Sequence, residues 1–122
     1  MISKHRIYVS TGGYKNLKSI QALDLLFAND INNIELSGGA YDSLTRVKIN
    51  KLIKKKNIIV HNFFPTPKKS FVLNLASENQ SIYEKSLNMI KKNIISSSYS
   101  DLKIYSFHAG FLIDPHVNEL GK

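Results

Sequence analysis

Residues 57–63, with the sequence NIIVHNF, decide the fold class of this chain. A short run of apolar, β-branched residues is typical of a strand buried on both faces of a parallel sheet, and His61 follows this run directly. Residues 103–109, KIYSFHA, repeat the arrangement and place His108 after a second such run. In α/β folds, ligands and metals bind at the C-terminal ends of the strands, because the βα loops meet there. The two stretches therefore predict an α/β fold with a metal or polyol site at these strand ends.

The rest of the chain alternates between strand-like and helix-like segments. Strands are predicted at residues 6–11 and 33–37, and helices are predicted after Ser19, after Asp42 and from a capping box that begins at Ser81. The order βαβαβαβ implies a four-stranded parallel sheet with right-handed crossovers. Two architectures fit this order: half of a TIM-type barrel, or an open flavodoxin-like sheet.

Apolar residues recur at helical spacing in the three predicted helices, and this spacing predicts which positions face the core. The predicted inward positions are Ile20, Leu23, Leu26 and Phe27 in the first helix, Leu44, Val47 and Leu52 in the second, and Leu87, Ile90 and Ile94 in the third. A polar connector is predicted at residues 96–100, and residues 112–122 are predicted to be irregular.

Size and composition limit the classes of protein that the chain can be. Its 122 residues predict a single domain over residues 1–122, and 43% hydrophobic residues are typical of a globular protein. With no cysteine, neither a disulfide framework nor a thiolate metal site is possible. No apolar run approaches the roughly 18 residues that a membrane span needs, and the first residues have no signal-peptide pattern. We therefore expect a cytoplasmic protein without a membrane partner.

The net charge of +8 raises the hypothesis of a nucleic-acid partner. Arg6 and Arg46 are the arginines, and the other fifteen basic residues are lysines. Arginine is the better residue for bidentate recognition of phosphates and bases, so this composition makes nucleic acid the less favoured partner.

Other polar side chains are predicted at the same edge of the sheet as the two histidines. Glu35 and Ser37 end the second predicted strand, and Asn62 follows His61. Lys68 and Lys69 lie in the loop after the third strand, which is on the correct side for contact with a phosphate group; a solvated surface is the alternative. Glu35 has two equally weighted interpretations: a carboxylate of the site, or a structural partner of Arg6 or a lysine. The run Lys54–Lys56 lies at the opposite edge of the sheet.

Three stretches stand at predicted strand ends: NNIELSGG at the second strand, VHNFFPTPKKSFVLNLAS after the third and YSFHAGFLIDP at the fourth. In these stretches the chain resembles the xylose-isomerase-like (β/α)8 superfamily, which contains sugar-phosphate isomerases and epimerases and the apurinic-site endonucleases. The resemblance covers nearly the whole chain, but only the first half of the family's barrel.

The resemblance implies a set of roles for the residues at the strand ends. His61 and His108 match the family's histidines on strands 3 and 4, which are metal ligands in the endonuclease branch, and Glu35 matches the acidic position on strand 2. The implied metal is Zn²⁺, Mn²⁺ or Co²⁺. Ser37, Asn62, Lys68 and Lys69 are the candidate substrate contacts.

The resemblance also implies a reaction, which is metal-dependent isomerisation or epimerisation of a sugar or sugar phosphate. Two alternatives remain: a zinc-dependent phosphodiester hydrolase of the apurinic-endonuclease type, and a non-catalytic half-barrel that binds or assembles. The family's main metal carboxylates and proton-transfer residues usually come from strands 5 to 8, which lie outside the resemblance. Among the matching positions, Glu35 is the candidate catalytic carboxylate.

A half-barrel is expected to associate, because its outer strands have unpaired edges and its inner face is open to water. Val9, Leu36, Val60 and Phe107 are the predicted interior positions of that face. The sequence thus predicts either pairing with a second copy or membership of a longer protein that supplies the missing half.

Overall fold

The strand-like runs form one parallel sheet in which the strands follow each other in chain order. The computed structural model describes residues 7–52, 57–98, 100 and 102–119. Its strands are β1 (Val9–Ser10), β2 (Asn33–Leu36), β3 (Asn57–His61) and β4 (Tyr105–Ser106), and each neighbouring pair is parallel. The predicted α/β class is confirmed. The sequential order is that of consecutive strands in a (β/α)8 barrel, whereas a flavodoxin-like sheet places its second strand outside its first.

Three helices alternate with the strands: α1 (Ser19–Ala28), α2 (Thr45–Leu52) and α3 (Gln80–Ser97). Single 3₁₀ turns occupy Thr11–Gly13 after β1 and Val117–Glu119 near the end of the described chain. No helix within the described residues is long and apolar enough to cross a membrane.

Helix α3 differs from the prediction at both ends. It begins after Asn79, whose Oδ1 accepts hydrogen bonds from the backbone N–H groups of Ser81 and Ile82, so the predicted capping box at Ser81 is wrong. It also runs through part of the predicted polar connector. Ser97 donates to the carbonyl of Asn93, four residues back, so this serine is accommodated inside a helix.

The sheet has two different faces, because successive side chains of a strand point in opposite directions. We call one the covered face: Val9, Ile34, Leu36, Ile58, Val60 and Tyr105. Its central residues form the hydrophobic core with Leu23 and Leu26 of α1 and Ile49 of α2. We call the other the uncovered face: Ser10, Glu35, Ile59, His61 and Ser106, all of which are partly exposed.

This register corrects the expectation for the interior positions. Val9, Leu36 and Val60 lie on the covered face and pack in or against the core, and therefore do not line an open inner face. Phe107 lies beyond β4, is 41% exposed and stacks on Tyr105 with ring centroids 5.5 Å apart. The error is one of phase: a shift of one residue along a strand moves a side chain to the other face.

Some predicted inward positions of the helices are also wrong. Leu44 and Val47 are 53% and 59% exposed, since α2 starts at Thr45 and turns Thr45 and Ile49 inward instead. Ile94 of α3 is 53% exposed. The inward side of α3 carries Ile90 as predicted, together with the polar residues Ser86, Asn93 and Ser97. The side chain of Leu52 and the run Lys54–Lys56 fall outside the described residues.

Candidate functional site

His61 and His108 lie in contact at the C-terminal ends of β3 and β4. Their rings meet edge to face, with centroids 5.2 Å apart and planes at 83°. His61 is the last residue of β3, and His108 follows the end of β4 by two residues. The parallel pairing of β3 and β4 brings the two strand ends to the same edge of the sheet, as the sequence predicted.

Ser106 orients the ring of His61. It is the register partner of His61 across β3 and β4, and its Oγ lies 2.9 Å from His61 Nδ1. The proton of this hydrogen bond belongs to Nδ1 in one imidazole tautomer and to the hydroxyl in the other. In the first tautomer Nδ1 donates to Ser106 and the lone pair of Nε2 is left for another partner, which is how second contacts commonly fix a metal-binding histidine. This role of Ser106 was not predicted from the sequence.

Asn62 supports the site from within the backbone. It has a positive φ of 44°, a left-handed conformation that asparagine tolerates better than most residues. Its backbone N–H donates to Ser106 O at 2.7 Å, and its carbonyl accepts from Asn93 and from the Tyr105 hydroxyl. Its Oδ1 accepts a longer hydrogen bond, 3.4 Å, from the backbone N–H of His108. These contacts give the predicted substrate residue a structural role at the join between the two strands.

Glu35 lies on the uncovered face, on the strand next to His61. Its register partner is Ile59, so His61 is two residues further along the neighbouring strand on the same face. Within the described residues the carboxylate of Glu35 makes no hydrogen bond or ion pair. Arg6, its suggested structural partner, falls outside those residues. Glu35 is therefore beside the histidine pair without joining it.

Ser37 ties the ends of β1 and β2 together. Its backbone N–H donates to Thr11 Oγ1, and that hydroxyl donates back to the carbonyl of Ser37, each at 2.9 Å. Thr11 is fully buried, so this pair of bonds fixes the chain where β2 ends. The predicted substrate contact at Ser37 thus uses its backbone for structure, while no described residue bonds its hydroxyl.

Lys68 and Lys69 are exposed in the loop between β3 and α3. Neither makes a hydrogen bond or ion pair with another described residue. Neither lines the apolar pocket next to His108. The two lysines lie on the surface of the loop, where their ammonium groups can be solvated or can contact a phosphate group.

The pocket next to His108 is small and apolar, with a volume of about 190 Å³. Aromatic and aliphatic side chains make most of its wall: Phe63, Phe71, Val72, Leu73, Phe111 and Val117. Phe63 and Phe71 contact each other edge to face with centroids 5.3 Å apart. Such a wall suits the apolar face of a ring rather than a charged group.

A larger cleft lies away from the histidines. Its volume is about 490 Å³, and it opens between the loop before α2, the loop after β3 and the outer side of α3. Lys85 and Lys92 border it, as do the aromatic rings of Tyr41 and Phe71. Volume alone would favour this cleft, but no described histidine lines it, so the strand-end site is the better candidate for metal chemistry.

The histidine pair by itself supplies fewer side chains than a metal site needs. Among the residues that the structure describes, no group of three His, Asp or Glu side chains is placed to hold a metal ion. The expected trio of Glu35, His61 and His108 is therefore not assembled here, because Glu35 sits diagonally across from His61. Two imidazole rings are in contact, and any further ligands of a metal ion would have to be water, a bound molecule or groups outside the described residues.

Asn74 and Asp114 also shape this edge of the sheet, although no role was predicted for them from the sequence. Asn74 is 1% exposed and joins the loop before α3 to the segment after His108. Their signal was present in NLAS and FLIDP, which contributed to the family resemblance. Nothing local in those motifs indicates that they bond to each other across 40 residues.

Comparisons of the chain with protein-family models, with curated proteins and with solved structures give no match.

Proposed function

We propose that this chain provides the first half of a metal-dependent isomerase or epimerase site for a sugar or sugar phosphate, as in the xylose-isomerase-like superfamily. The observation that carries the proposal is the contact between His61 and His108 at adjacent strand ends. Sequential parallel strands with a polar uncovered face support it, since that is the arrangement of a barrel interior at its catalytic end.

The spacing of the two rings fits a shared metal ion. Two imidazoles bound at about 2.0–2.1 Å to one tetrahedral ion have ring centroids about 5 Å apart. The observed separation is 5.2 Å. His61 has its Nδ1 engaged by Ser106, so Nε2 is the nitrogen that would bind the ion. Imidazole nitrogen favours Zn²⁺, Mn²⁺ or Co²⁺ over Mg²⁺.

The residues of the chain divide the work of such a site between them. When bound, a divalent cation would polarise the carbonyl and hydroxyl oxygens of the sugar. His61 and His108 would hold it, and Glu35 would accept or return a proton from its place on the uncovered face. Ser37 and Asn62 would border the polyol, and Lys68 or Lys69 would contact a phosphate group. A cytoplasmic location is part of the proposal, on the ground that the sequence has no cysteine.

Titration with Co²⁺ and Zn²⁺, followed by calorimetry and by cobalt absorption, tests the proposal. His61→Ala and His108→Ala should each weaken binding at least about tenfold, because each removes one of two protein ligands. His116→Ala is the matched control, since His116 is exposed near Val117–Glu119 and its backbone N–H bonds to Glu119. Binding should also weaken as the pH falls, because protons compete for imidazole nitrogen.

Equal affinities in the wild type and both site variants would remove the metal from the proposal. Metal binding combined with cleavage of an abasic-site DNA, and without turnover of sugar phosphates, would favour the endonuclease-type alternative. Metal binding without either activity would favour the non-catalytic half-barrel.

The proposal includes a partner that completes the sheet, because a closed barrel needs four further strands. A second copy of the chain or another polypeptide segment would supply them. Exposed apolar side chains after β4 support this, with Leu112 fully exposed and Ile113 75% exposed. Sedimentation velocity should show association at micromolar concentration that the double variant Leu112→Ser/Ile113→Ser reduces. A monomeric wild type that binds no exposed-surface dye would contradict this part.

A further inference from the structure

The segment that follows His108 is attached to the loop before α3 by a cluster of hydrogen bonds centred on Asn74. Its Oδ1 accepts from the backbone N–H groups of Phe111 at 2.9 Å and Ala76 at 3.0 Å. Its Nδ2 donates to Asp114 Oδ1 at 2.8 Å and, at 3.4 Å, to the carbonyl of Ile113. All four hydrogen-bonding positions of the Asn74 side chain are thereby used. We call these contacts the Asn74 clamp.

Neighbouring bonds reinforce the Asn74 clamp. Leu75 N–H donates to the carbonyl of Ala109, the residue directly after His108, at 3.0 Å. Ser77 donates to the second carboxylate oxygen of Asp114 at 2.7 Å. The backbone N–H of Asn74 donates to Ser86 Oγ, which links the clamp to α3. The clamp is thus anchored on a regular helix of 18 residues.

Strand β4 alone is too short to fix His108. It has two residues, pairs with β3 at two positions and is the outermost strand in the described sheet. His108 lies two residues beyond its end, and the 3.4 Å bond from its N–H to Asn62 Oδ1 is long. Short edge segments open readily unless other contacts hold them. The dense bonding just after His108 is the contact that can do so.

We propose that Asn74 is a positioning residue of the histidine pair: by clamping residues 109–114, it holds His108 against His61. The inference rests on the proposed function for its catalytic meaning, but its geometric content is independent of any metal. Asn74 is 1% exposed, so leaving any of its polar groups without a hydrogen-bond partner would cost free energy. This cost favours the closed arrangement in which residues 109–114 stay bonded to it.

Gly110 gives a second and independent view of the clamp. A Cβ at this position would collide with Asn74 Oδ1 and would lie 3.0 Å from Ala76 N. The loop approaches Asn74 so closely that only glycine fits without movement. A side chain here would push residues 109–114 away from Asn74, and the His108 backbone with them.

The test compares variants in the full chain, with Co²⁺ affinity and the nuclear Overhauser effect between the ring protons of His61 and His108 as readouts. Asn74→Asp removes both side-chain N–H donors and puts a carboxylate next to Asp114. We expect about tenfold weaker Co²⁺ binding, in the range typical of groups that orient metal ligands, and loss of the Overhauser effect. The reciprocal variant Asn74→Asp/Asp114→Asn restores a donor–acceptor pair between the two side chains and should recover both readouts.

Matched controls separate the clamp from general effects. Asn88→Asp makes the same chemical change on the exposed outer side of α3 and should alter neither readout. Gly110→Ala should reproduce the loss, whereas Gly13→Ala, where a Cβ meets nothing within 4 Å, should not. If Asn74→Asp fails to fold, Gly110→Ala decides the question.

Two outcomes would overturn the proposal. One is a folded Asn74→Asp or Gly110→Ala protein that keeps wild-type affinity and the Overhauser effect. The other is a lower melting temperature with both readouts intact in the folded fraction, which would make Asn74 a merely stabilising residue. If the wild type binds no Co²⁺, the proposed function fails, while the Overhauser measurement still decides whether Asn74 positions His108.

Discussion

The two faces of the sheet are built from the same strands but from different chemistry. On the covered face, Ile34 and Ile58 are fully buried and Val60 is 2% exposed, all in one core with α1 and α2. On the uncovered face, Glu35 and His61 occupy the alternate positions of the same strands and are only partly buried. The comparison teaches that stability and candidate chemistry are separated by a single residue step along each strand.

The difference explains why the polar residues can be tolerated in short, mostly apolar strands. A carboxylate or imidazole on the covered face would be desolvated among aliphatic side chains, at a cost of several kcal/mol unless it were paired. On the uncovered face, water reaches Glu35 and His61, and a ligand can replace that water. The uncovered face is therefore where polar groups and a binding site can coexist.

The largest expected difference between the two faces is in the free energy of unfolding when Ile58 or Ile59 is truncated. Ile58→Ala should lower the free energy of unfolding by about 2–5 kcal/mol, because it leaves a cavity in the core. Ile59→Ala removes the same atoms from the uncovered face and should cost about 1 kcal/mol, since that side chain is partly exposed. Urea unfolding measures both. Equal losses would mean that both faces are packed alike.

A smaller effect is expected from Ser106→Ala on the uncovered face. The substitution removes the hydroxyl that lies 2.9 Å from His61 Nδ1 and so frees the ring to rotate. Co²⁺ affinity should fall about tenfold, as for other groups that orient a metal ligand, while stability changes little. Ser106→Thr, which keeps the hydroxyl, is the matched control. An unchanged affinity in Ser106→Ala would show that His61 needs no orienting partner.

Tyr105 lies next to Ser106 but on the covered face. We expect it to make the stability of the fold depend on pH in the alkaline range. Burial raises the pKa of the Tyr105 hydroxyl, and the hydrogen bond from Asn93 opposes the rise in part. The folded state thus keeps this proton after the unfolded state, with a tyrosine pKa of about 10, has lost it. The contribution to stability is complete below about pH 10 and is lost as the pH rises through the raised pKa.

Denaturation of the wild type and Tyr105→Phe between pH 8 and 11 measures this effect, because the other tyrosines and the lysines cancel in the difference. The difference in the free energy of unfolding between the two proteins should narrow or reverse above about pH 10. A constant gap at all pH values would argue that Tyr105 titrates alike in both states.

The smallest effect is expected at Glu35. Since no described residue bonds its carboxylate, Glu35→Gln should change the free energy of unfolding by less than about 0.5 kcal/mol. Co²⁺ affinity should stay within about twofold of the wild type, because Glu35 forms no three-ligand group with the histidines. A large loss of stability would instead indicate a structural ion pair, and a large loss of affinity would make Glu35 a ligand.

The strand-end histidines could be predicted from sequence because both observations are local: an apolar run, and a polar residue directly after it. Phase was harder. In β3, which is buried on one face and half-buried on the other, Ile58, Ile59 and Val60 are all apolar, so nothing in the sequence indicated which face Val60 occupied. In α2 and α3 the inward faces include Thr45, Ser86 and Asn93, which an analysis of apolar spacing cannot select.

The Asn74 clamp lay beyond sequence reasoning for a different reason. The clamp consists of hydrogen bonds between residues 74–77 and residues 109–114, and these partners are far apart in the chain. Asn74 and Asp114 alone read as ordinary loop residues. The fold places the loops after β3 and β4 side by side, and the two residues can then bond to each other.

Anomalous diffraction from crystals grown with Zn²⁺ tests the central claim most directly, because it locates the ion rather than its effects. The claim is that His61 and His108 form one ligand pair on the uncovered face. The predicted result is a peak about 2.0–2.1 Å from a ring nitrogen of each histidine, with His61 Nδ1 still bonded to Ser106. A peak elsewhere, for instance at His116, with the two site histidines unliganded, would contradict the account.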